Sequence, residues 1–225
     1  MYYEPEPHKI HLSPATVFLR SLLLTLLVFI TAGSWAPAQT CPAGIPDAEC
    51  QALCALYNST DGDNWTSSNN WFTSSREWEH VLIEFEDGGW HVTRIAFPNK
   101  NLTGHIPGEI GNLSHLKDLY FGYNDITGEI PPELGNLTRL ETLYLDGNLL
   151  TGELPSELGN LTNLRSLHTA YNQLTGEIPP ELANLANLEA LSLDANRLTG
   201  EIPPELGSLP NLVGLGLSSN QLTGE

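Results

Sequence analysis

The chain has 225 residues, with 27 acidic and 9 basic side chains and a formal net charge of −18. A negative surplus of this size excludes nucleic acid and anionic membrane surfaces as expected partners. Leucine, asparagine, glycine and proline recur at fixed spacing, which predicts one elongated repeat array rather than several globular domains.

Residues 1–38 have the pattern of a secretory signal peptide. Lys9 and Arg20 precede an apolar run over residues 21–32, and small residues for cleavage stand just before Gln39. The run is short for a membrane span, although an uncleaved N-terminal anchor stays open as an alternative. We therefore expect a protein that is secreted or held at the cell surface.

Residues 39–90 are predicted to form an N-terminal cap that contains a disulfide. The chain has three cysteines, Cys41, Cys50 and Cys54, all of which precede the repeats. Cys50 and Cys54 would share one face of a helix, where a bond between them is strained. In an oxidising compartment we expect Cys41 to pair with one of the two and the other thiol to stay free.

A helix followed by a β-hairpin is predicted within this cap. An apolar stripe that includes Leu53 and Tyr57 indicates the helix, and residues 81–86 and 91–97 alternate like strands on either side of residues 87–89. The tryptophans are expected in the core that covers the first repeat, rather than on a sugar-binding platform: Trp65, Trp71 and Trp78.

Residues 91–225 have a period of 24 residues, with five complete copies and a sixth that stops inside its LTGE motif. We expect this array to be a fragment of a longer one, because its last copy has no polar closing cap. The copies read close to LxxLxLxxNxLTGxIPxxLGNLxx and begin at Val92, Leu116, Leu140, Leu164, Leu188 and Leu212.

Each position of the repeat has a predicted task. The first, fourth and sixth residues point into the core, and the short strand between them pairs with its neighbours in a parallel sheet. The ninth-position asparagine is expected to satisfy buried backbone groups, starting at Asn124 because Lys100 replaces it in the first copy. Thr169 occupies a core slot that is apolar in the other copies, and we expect its hydroxyl to bond locally.

The segment LTGEIPPEL, at residues 174–182 and 198–206, resembles the plant-type class of leucine-rich repeat found in receptor-kinase ectodomains and polygalacturonase-inhibiting proteins. AECQALCALYNSTDGDNWTSSNNW, at residues 48–71, resembles the N-terminal cap of secreted leucine-rich repeat proteins. Together they cover residues 47–225.

The resemblance implies an α/β fold. The expected architecture is a right-handed solenoid with a parallel β-sheet on its concave face, an irregular or 3-10 convex side and a helix–hairpin cap. Such caps usually carry a CxWxGVxC-like segment, whereas REWEHVLI here keeps Trp78 without a cysteine. The family's usual cap disulfide is therefore in question, and a Cys41 disulfide would be a local substitute.

The sequence contains no motif that predicts catalysis. A Gly-rich phosphate loop, HExxH, GxSxG and zinc-site cysteine spacing are all absent from it. Asp61, Asp63 and Asn64 begin like a calcium loop, but Trp65 and Thr66 stand where its later ligand and turn glycine belong. We expect a protein that is not an enzyme and has neither a cofactor nor a metal site.

Two columns of the concave face gather aromatic side chains on the second to fourth repeats. Exposed tyrosine and histidine combine a large contact area with a polar tip, which suits recognition of a ligand, although aromatic residues also stabilise strands by contact between rungs. The candidate ligand-binding residues are Tyr120, Tyr123, Tyr144, Asp146, His168 and Tyr171.

The second-position column alternates in charge over Lys117, Glu141, Arg165 and Glu189. We expect neighbouring members of this column to pair with each other. Six Asn-x-Ser/Thr sequons are candidates for N-glycosylation if the chain passes through a eukaryotic secretory pathway: Asn58, Asn64, Asn101, Asn112, Asn136 and Asn160.

The combined interpretation is an extracellular leucine-rich repeat module that recognises a protein, peptide or glycan on its concave face without catalysis. Two alternatives stay open. The array could be a structural or adhesive surface protein with no discrete ligand, or an ectodomain fragment of a receptor-like kinase. Membrane attachment is expected only through an uncleaved signal segment or a missing C-terminal segment.

Overall fold

The computed structural model describes residues 41–68 and 70–224, and the predicted signal segment at residues 1–38 lies outside them. Within the described ranges, no helix is both long enough and apolar enough to cross a bilayer. One α-helix lies in these described residues, α1 (Asp47–Ser59). The strands are β1 (Val81–Glu86), β2 (Gly89–Ala96), β3 (Thr103–His105), β4 (Asp118–Tyr120), β5 (Asp125–Thr127), β6 (Thr142–Tyr144), β7 (Ser166–His168), β8 (Ala190–Ser192) and β9 (Gly214–Gly216).

The main sheet has seven strands in the order β1-β2-β4-β6-β7-β8-β9. β1 and β2 are antiparallel, and every later pair is parallel. The register advances by one repeat per strand, so Leu119, Leu143 and Leu167 are direct partners across the sheet. This arrangement confirms the predicted α/β leucine-rich repeat solenoid, because equivalent residues of successive repeats lie in columns.

The hairpin of the cap is one residue tighter than the sequence suggested. Glu86 pairs directly with Gly89, so the loop is Asp87 and Gly88 rather than residues 87–89, and β2 begins two residues before the predicted His91. Asp87 and Gly88 have φ values of 50° and 87°. Positive φ at both positions is the mark of a two-residue turn whose twist matches the strands.

The convex side consists of turns and 3-10 segments, as the repeated prolines predict. Proline fixes φ and removes a backbone donor, which disfavours a longer helix at this point of each repeat. The five-residue 3-10 segments recur once per repeat at Gly108–Asn112, Pro132–Asn136, Ser156–Asn160, Pro180–Asn184 and Pro204–Ser208. A second parallel pair, β3 with β5, lies outside the main sheet.

Every repeat from the second to the fifth buries its ninth-position asparagine, as predicted. Asn148 is representative: its Oδ1 accepts the N–H of Ile126 at 3.1 Å, and its Nδ2 donates to the carbonyls of Phe121 at 3.0 Å and Leu145 at 3.1 Å. One side chain therefore satisfies three buried backbone groups across two rungs.

The cap is held together by a disulfide and by an aromatic cluster. Cys41 bonds to Cys50 with their Cα atoms 5.8 Å apart, which resolves the predicted alternatives, and Cys54 is a free thiol. Trp65, Trp71 and Trp78 are 5, 8 and 3% exposed, so their predicted role in the core is confirmed. Ring centroids of neighbouring members lie 4.9 and 5.0 Å apart.

Thr169 is completely buried in the core slot that the repeat assigns to it. Its hydroxyl has no hydrogen-bond partner, so the expectation of a local bond is wrong. Its N–H donates to the Ser192 carbonyl at 2.9 Å, which keeps the backbone of this rung in place. Burial of this unpaired hydroxyl therefore lowers the stability of the fold, while the hydrogen bonds between the strands stay intact.

Replacing Asn148 by Ala should lower the free energy of unfolding by about 3 kcal/mol, because three buried backbone groups lose their partner. Urea unfolding followed by circular dichroism measures the change. Asn163→Ala is the matched control, since the exposed Asn163 donates a single bond to the Thr138 carbonyl. A loss for Asn148→Ala no larger than that of the control would contradict the role assigned to the buried asparagines.

Replacing Thr169 by Val should raise the free energy of unfolding by about 1 kcal/mol, because the shape is kept and an unsatisfied hydroxyl is removed. The control is Thr199→Val, where the residue is exposed and its hydroxyl donates one long bond, 3.3 Å, to the Gly176 carbonyl; the change should stay within about 0.5 kcal/mol. Lower stability of Thr169→Val would show that the hydroxyl makes a stabilising interaction after all.

Candidate ligand-binding surface

Three of the predicted residues form one continuous row on the face of the main sheet that points away from the leucine core. Tyr120, Tyr144 and His168 end β4, β6 and β7 and are direct partners in the sheet register. The ring centroids of Tyr120 and Tyr144 are 5.0 Å apart, and those of Tyr144 and His168 are 4.3 Å apart. Both contacts are edge-to-face, which aromatic rings prefer to a face-to-face sandwich. We call these three residues the aromatic row.

Arg94 and Asp118 extend the aromatic row at its cap end, and the sequence analysis missed both. The guanidinium of Arg94 lies 5.0 Å from the ring centroid of Tyr120, a cation–π distance. The Tyr120 hydroxyl donates to Asp118 Oδ1 at 3.3 Å. Burial raises the pKa of the Tyr120 hydroxyl, which keeps it protonated and able to donate. The 24-residue register could have identified Arg94, because it places the third repeat position of the first rung beside the rung that carries Tyr120.

Asp146 connects the aromatic row to the turn beside it. Its Oδ1 accepts the N–H of Ala170 at 2.7 Å, and its Oδ2 lies 3.6 Å from Nδ1 of His168. Asp194 repeats the arrangement two rungs later, where its Oδ1 accepts the Ser218 N–H at 2.9 Å. Hydrogen bonds from Ser218 lower the pKa of Asp194. Asp146 thus has one oxygen committed to the fold and one that faces the aromatic row.

Tyr123 and Tyr171 stand apart from the aromatic row, at the eighth position of their repeats, and are 65 and 64% exposed. Their φ values are 58° and 54°, in the left-handed region that non-glycine residues rarely occupy. Gly147 takes the same position between them, with a φ of 63°. A Cβ on Gly147 would lie 2.8 Å from Cδ1 of Tyr123, so the glycine leaves space for that ring.

A tyrosine at this position costs the fold about 1 kcal/mol of backbone strain relative to glycine. Burial does not compensate, because both rings are mostly in solvent. The same conformation recurs at this position in Asn99, Ala195 and Ser219, so it belongs to the repeat and is not specific to the tyrosines. The structure therefore brings together the aromatic row and Asp146 and leaves Tyr123 and Tyr171 outside this group.

The charged column beside the aromatic row pairs only in part as predicted. Arg165 lies 3.6 Å from Glu141 and 2.8 Å from Glu189, in agreement with the expected pairing between rungs. Lys117 instead donates to Glu86 of the cap hairpin, and this hydrogen bond lowers the pKa of Glu86. The column prediction missed this pair because Glu86 lies outside the repeats.

The other predicted surface features are positioned without conflict. The six sequon asparagines are exposed: Asn58, Asn64, Asn101, Asn112, Asn136 and Asn160.

Among residues 41–68 and 70–224, two groups bring three metal-ligating side chains together. The first consists of Cys41, Cys50 and Cys54, two of which are bonded to each other. The second consists of Glu49, His91 and His115 in the cap region.

Residues 93–224 match a family model described as a leucine-rich repeat region. The chain belongs to the leucine-rich repeat family. No curated protein sequence matches this leucine-rich repeat chain significantly.

Solved structures of similar leucine-rich repeat proteins include plant receptors. The plant peptide hormone receptor RGFR1 in complex with RGF2 is 44% identical over 57% of this chain and 20% of its own, with a TM-score of 0.56. The ectodomain of the receptor kinase SOBIR1 from Arabidopsis thaliana is 29% identical over 80% of this chain and 98% of its own, with a TM-score of 0.68.

A plant ice-binding protein is 34% identical over 80% of this chain and 58% of its own, with a TM-score of 0.69. The leucine-rich repeat chain therefore spans about a fifth of the RGFR1 chain and nearly all of the SOBIR1 ectodomain. These similarities confirm the plant-type class of the repeats.

Replacing Tyr171 by Gly should raise the free energy of unfolding by about 1 kcal/mol, because glycine adopts a positive φ without strain. Ala195→Gly is the matched control, since Ala195 occupies the same repeat position with a φ of 52°. Thermal and urea unfolding of both variants measure the gain. A clear loss of stability in Tyr171→Gly alone would show that the exposed ring is a structural contact rather than a surface group.

Proposed function

We propose that this leucine-rich repeat chain is an extracellular recognition module that binds an extended, positively charged segment of a peptide or protein across the aromatic row, without catalysing a reaction. The observation that carries the proposal is the unbroken contact of Tyr120, Tyr144 and His168, with centroid distances of 5.0 and 4.3 Å. Two rung steps span about 10 Å, the length of about three residues of an extended chain.

The preference for a peptide comes from the shape of this surface. The aromatic row is open, and its half-buried rings offer both apolar faces and the polar tips of tyrosine and histidine. Aromatic side chains of this kind supply most of the binding energy at many protein interfaces. A similar receptor supports this preference, since RGFR1 is a plant peptide hormone receptor whose structure contains RGF2.

The preference for positive charge comes from the groups that surround the aromatic row. The guanidinium of Arg165 already lies between two carboxylates, and Lys117 is paired with Glu86. Arg94, whose guanidinium lies over the ring of Tyr120, is the cation at the cap end of the aromatic row, so the preference applies to the part of the row beyond it. Asp118 and Asp146 lie beside the aromatic row, and the whole chain carries a formal charge of −18. A basic ligand would be attracted by this field and would gain partners at these two carboxylates.

An extracellular location agrees with the signal-like residues 1–38 and with the ectodomain relatives. If the chain is a fragment of a receptor-like kinase, the same surface binds the ligand. This alternative differs only in the segments that are attached to the repeats. The structural or adhesive alternative makes the opposite prediction, because an array without a discrete ligand would not depend on the aromatic row.

Selection of random displayed peptides on the purified chain tests the proposal. Enriched peptides should contain basic residues, and Tyr120→Ala combined with Tyr144→Ala should weaken their binding at least about 30-fold, as expected when buried aromatic contacts are lost. Thr175→Ala, an exposed change outside the main sheet, is the control and should bind normally. Added salt should weaken binding, because it screens the carboxylates.

Peptides that bind the double variant as well as the unchanged chain would contradict the assigned surface. Selection of acidic rather than basic peptides would contradict the charge preference. If no peptide is enriched, a glycan array and an ice-recrystallisation assay on the same protein decide between a sugar ligand, ice binding like that of the plant relative, and an array without a ligand.

A further inference from the structure

Three potential metal ligands converge where the cap meets the first repeats. Glu49 is in the first turn of α1, His91 is in β2, and His115 precedes β4. Nδ1 of His91 lies 2.7 Å from Oε1 of Glu49, and Nδ1 of His115 lies 3.9 Å from the same oxygen. The ligating atoms of all three lie within 4.8 Å of one another.

The repeat places the two histidines together. His91 and His115 are 24 residues apart, one full repeat, so they occupy the same position on adjacent rungs. Their rings stack with centroids 3.5 Å apart and planes 15° from parallel. This spacing was the sequence signal for the cluster. It gave no expectation of a site, because Glu49 belongs to the cap and its approach depends on how α1 packs.

Glu49 is held in place before any ion binds. Its side chain is 3% exposed, and its Oε2 accepts the N–H of Val92 at 2.8 Å. The second oxygen is thereby directed at the two imidazoles. A buried carboxylate with a fixed orientation is costly to maintain unless a cation or a donor faces it.

The neighbours of His115 favour the tautomer that a metal ligand at Nδ1 requires. Nε2 of His115 lies 3.3 Å from Oδ2 of Asp87, a carboxylate oxygen that can only accept, so this contact favours the neutral tautomer with its proton on Nε2. Nδ1 of His115 then has a lone pair, with the Ser114 hydroxyl 3.2 Å away and Glu49 Oε1 3.9 Å away. Two electron-rich atoms therefore face one another across a gap of the size that a small cation occupies.

We propose that Glu49, His91 and His115 form a binding site for a divalent transition-metal ion of the zinc class. Tetrahedral zinc with bonds of about 2.0–2.1 Å places neighbouring ligand atoms about 3.3 Å apart. The observed separations of 2.7 and 3.9 Å lie on either side of that value, so small side-chain shifts create the geometry. The ion replaces the Nδ1 proton of His91, which is released to water, and a water molecule completes the coordination.

Asp87 would act as a positioning residue for this site. A carboxylate on the outer nitrogen of a metal-bound histidine fixes its tautomer and ring orientation. Arg139 donates to the same Asp87 oxygen at 2.6 Å and holds the carboxylate in place. The ion would thus connect α1, β2 and the segment before β4. The proposal departs from our sequence-based expectation that the chain has no metal site.

Calorimetric titration of the chelator-treated full chain with zinc chloride tests the site. We expect one ion per chain and a higher melting temperature in zinc. His115→Ala should remove both effects, whereas the control His105→Ala, an exposed histidine in β3, should retain them. Asp87→Asn should weaken zinc binding about 10- to 100-fold while keeping one ion per chain, as expected for a supporting partner.

Two further measurements keep the test decisive if a variant fails to fold. In the unchanged chain, zinc should shift the imidazole NMR signals of His91 and His115 and leave those of His105 and His168 in place. The absorption spectrum with cobalt should show ligand-field bands without a thiolate charge-transfer band.

Absence of zinc binding would overturn the proposal and leave a hydrogen-bonded cluster. Binding that survives in His115→Ala, or imidazole signals that do not move, would overturn it as well. A thiolate charge-transfer band would assign the ion to Cys54 instead.

Discussion

The buried asparagine at the ninth position is the interaction on which the rest of the structure depends. After each short strand the chain must turn across the core, where its backbone N–H and carbonyl groups have no water to bond with. Asn148 meets this demand for groups of two adjacent rungs, and Asn172 repeats it one rung later. Because each asparagine ties its own turn to the previous one, the strands can pair only with a shift of one full repeat.

The aromatic row depends on this register. A fixed shift of one repeat places every fifth-position side chain directly beside the next, so a surface can be specified one rung at a time. Tyr120, Tyr144 and His168 occupy three consecutive slots, and the register alone makes them neighbours. The neighbouring carboxylates also serve the backbone, since Asp146 holds the turn at Ala170 while facing His168. The same carboxylate, Asp146, therefore stabilises the backbone turn and lines the aromatic row.

The period of 24 residues was sufficient to predict the sheet, the core positions, the asparagine bonds and the row of rings. It was insufficient wherever a residue of the repeat meets a residue of the cap. Lys117 pairs with Glu86 rather than with Glu141, and Glu49 reaches His91, because the packing of α1 and the hairpin is not periodic. The sequence also did not predict the positive φ of Tyr171 or the unpaired hydroxyl of Thr169. Tyrosine rarely adopts a positive φ, and a buried hydroxyl usually has a hydrogen-bond partner.

The one-rung-per-residue construction of the aromatic row has a consequence for how such a surface can change over evolutionary time. Duplication of a whole 24-residue unit between Tyr144 and His168 would remake the same pattern of backbone bonds and core contacts, yet would move the two rings apart by one strand spacing, about 4.8 Å. Deletion would bring new neighbours into contact with equal ease. The order of side chains along this surface can therefore be revised in discrete steps by recombination of whole repeats, a route that the aperiodic cap region does not offer.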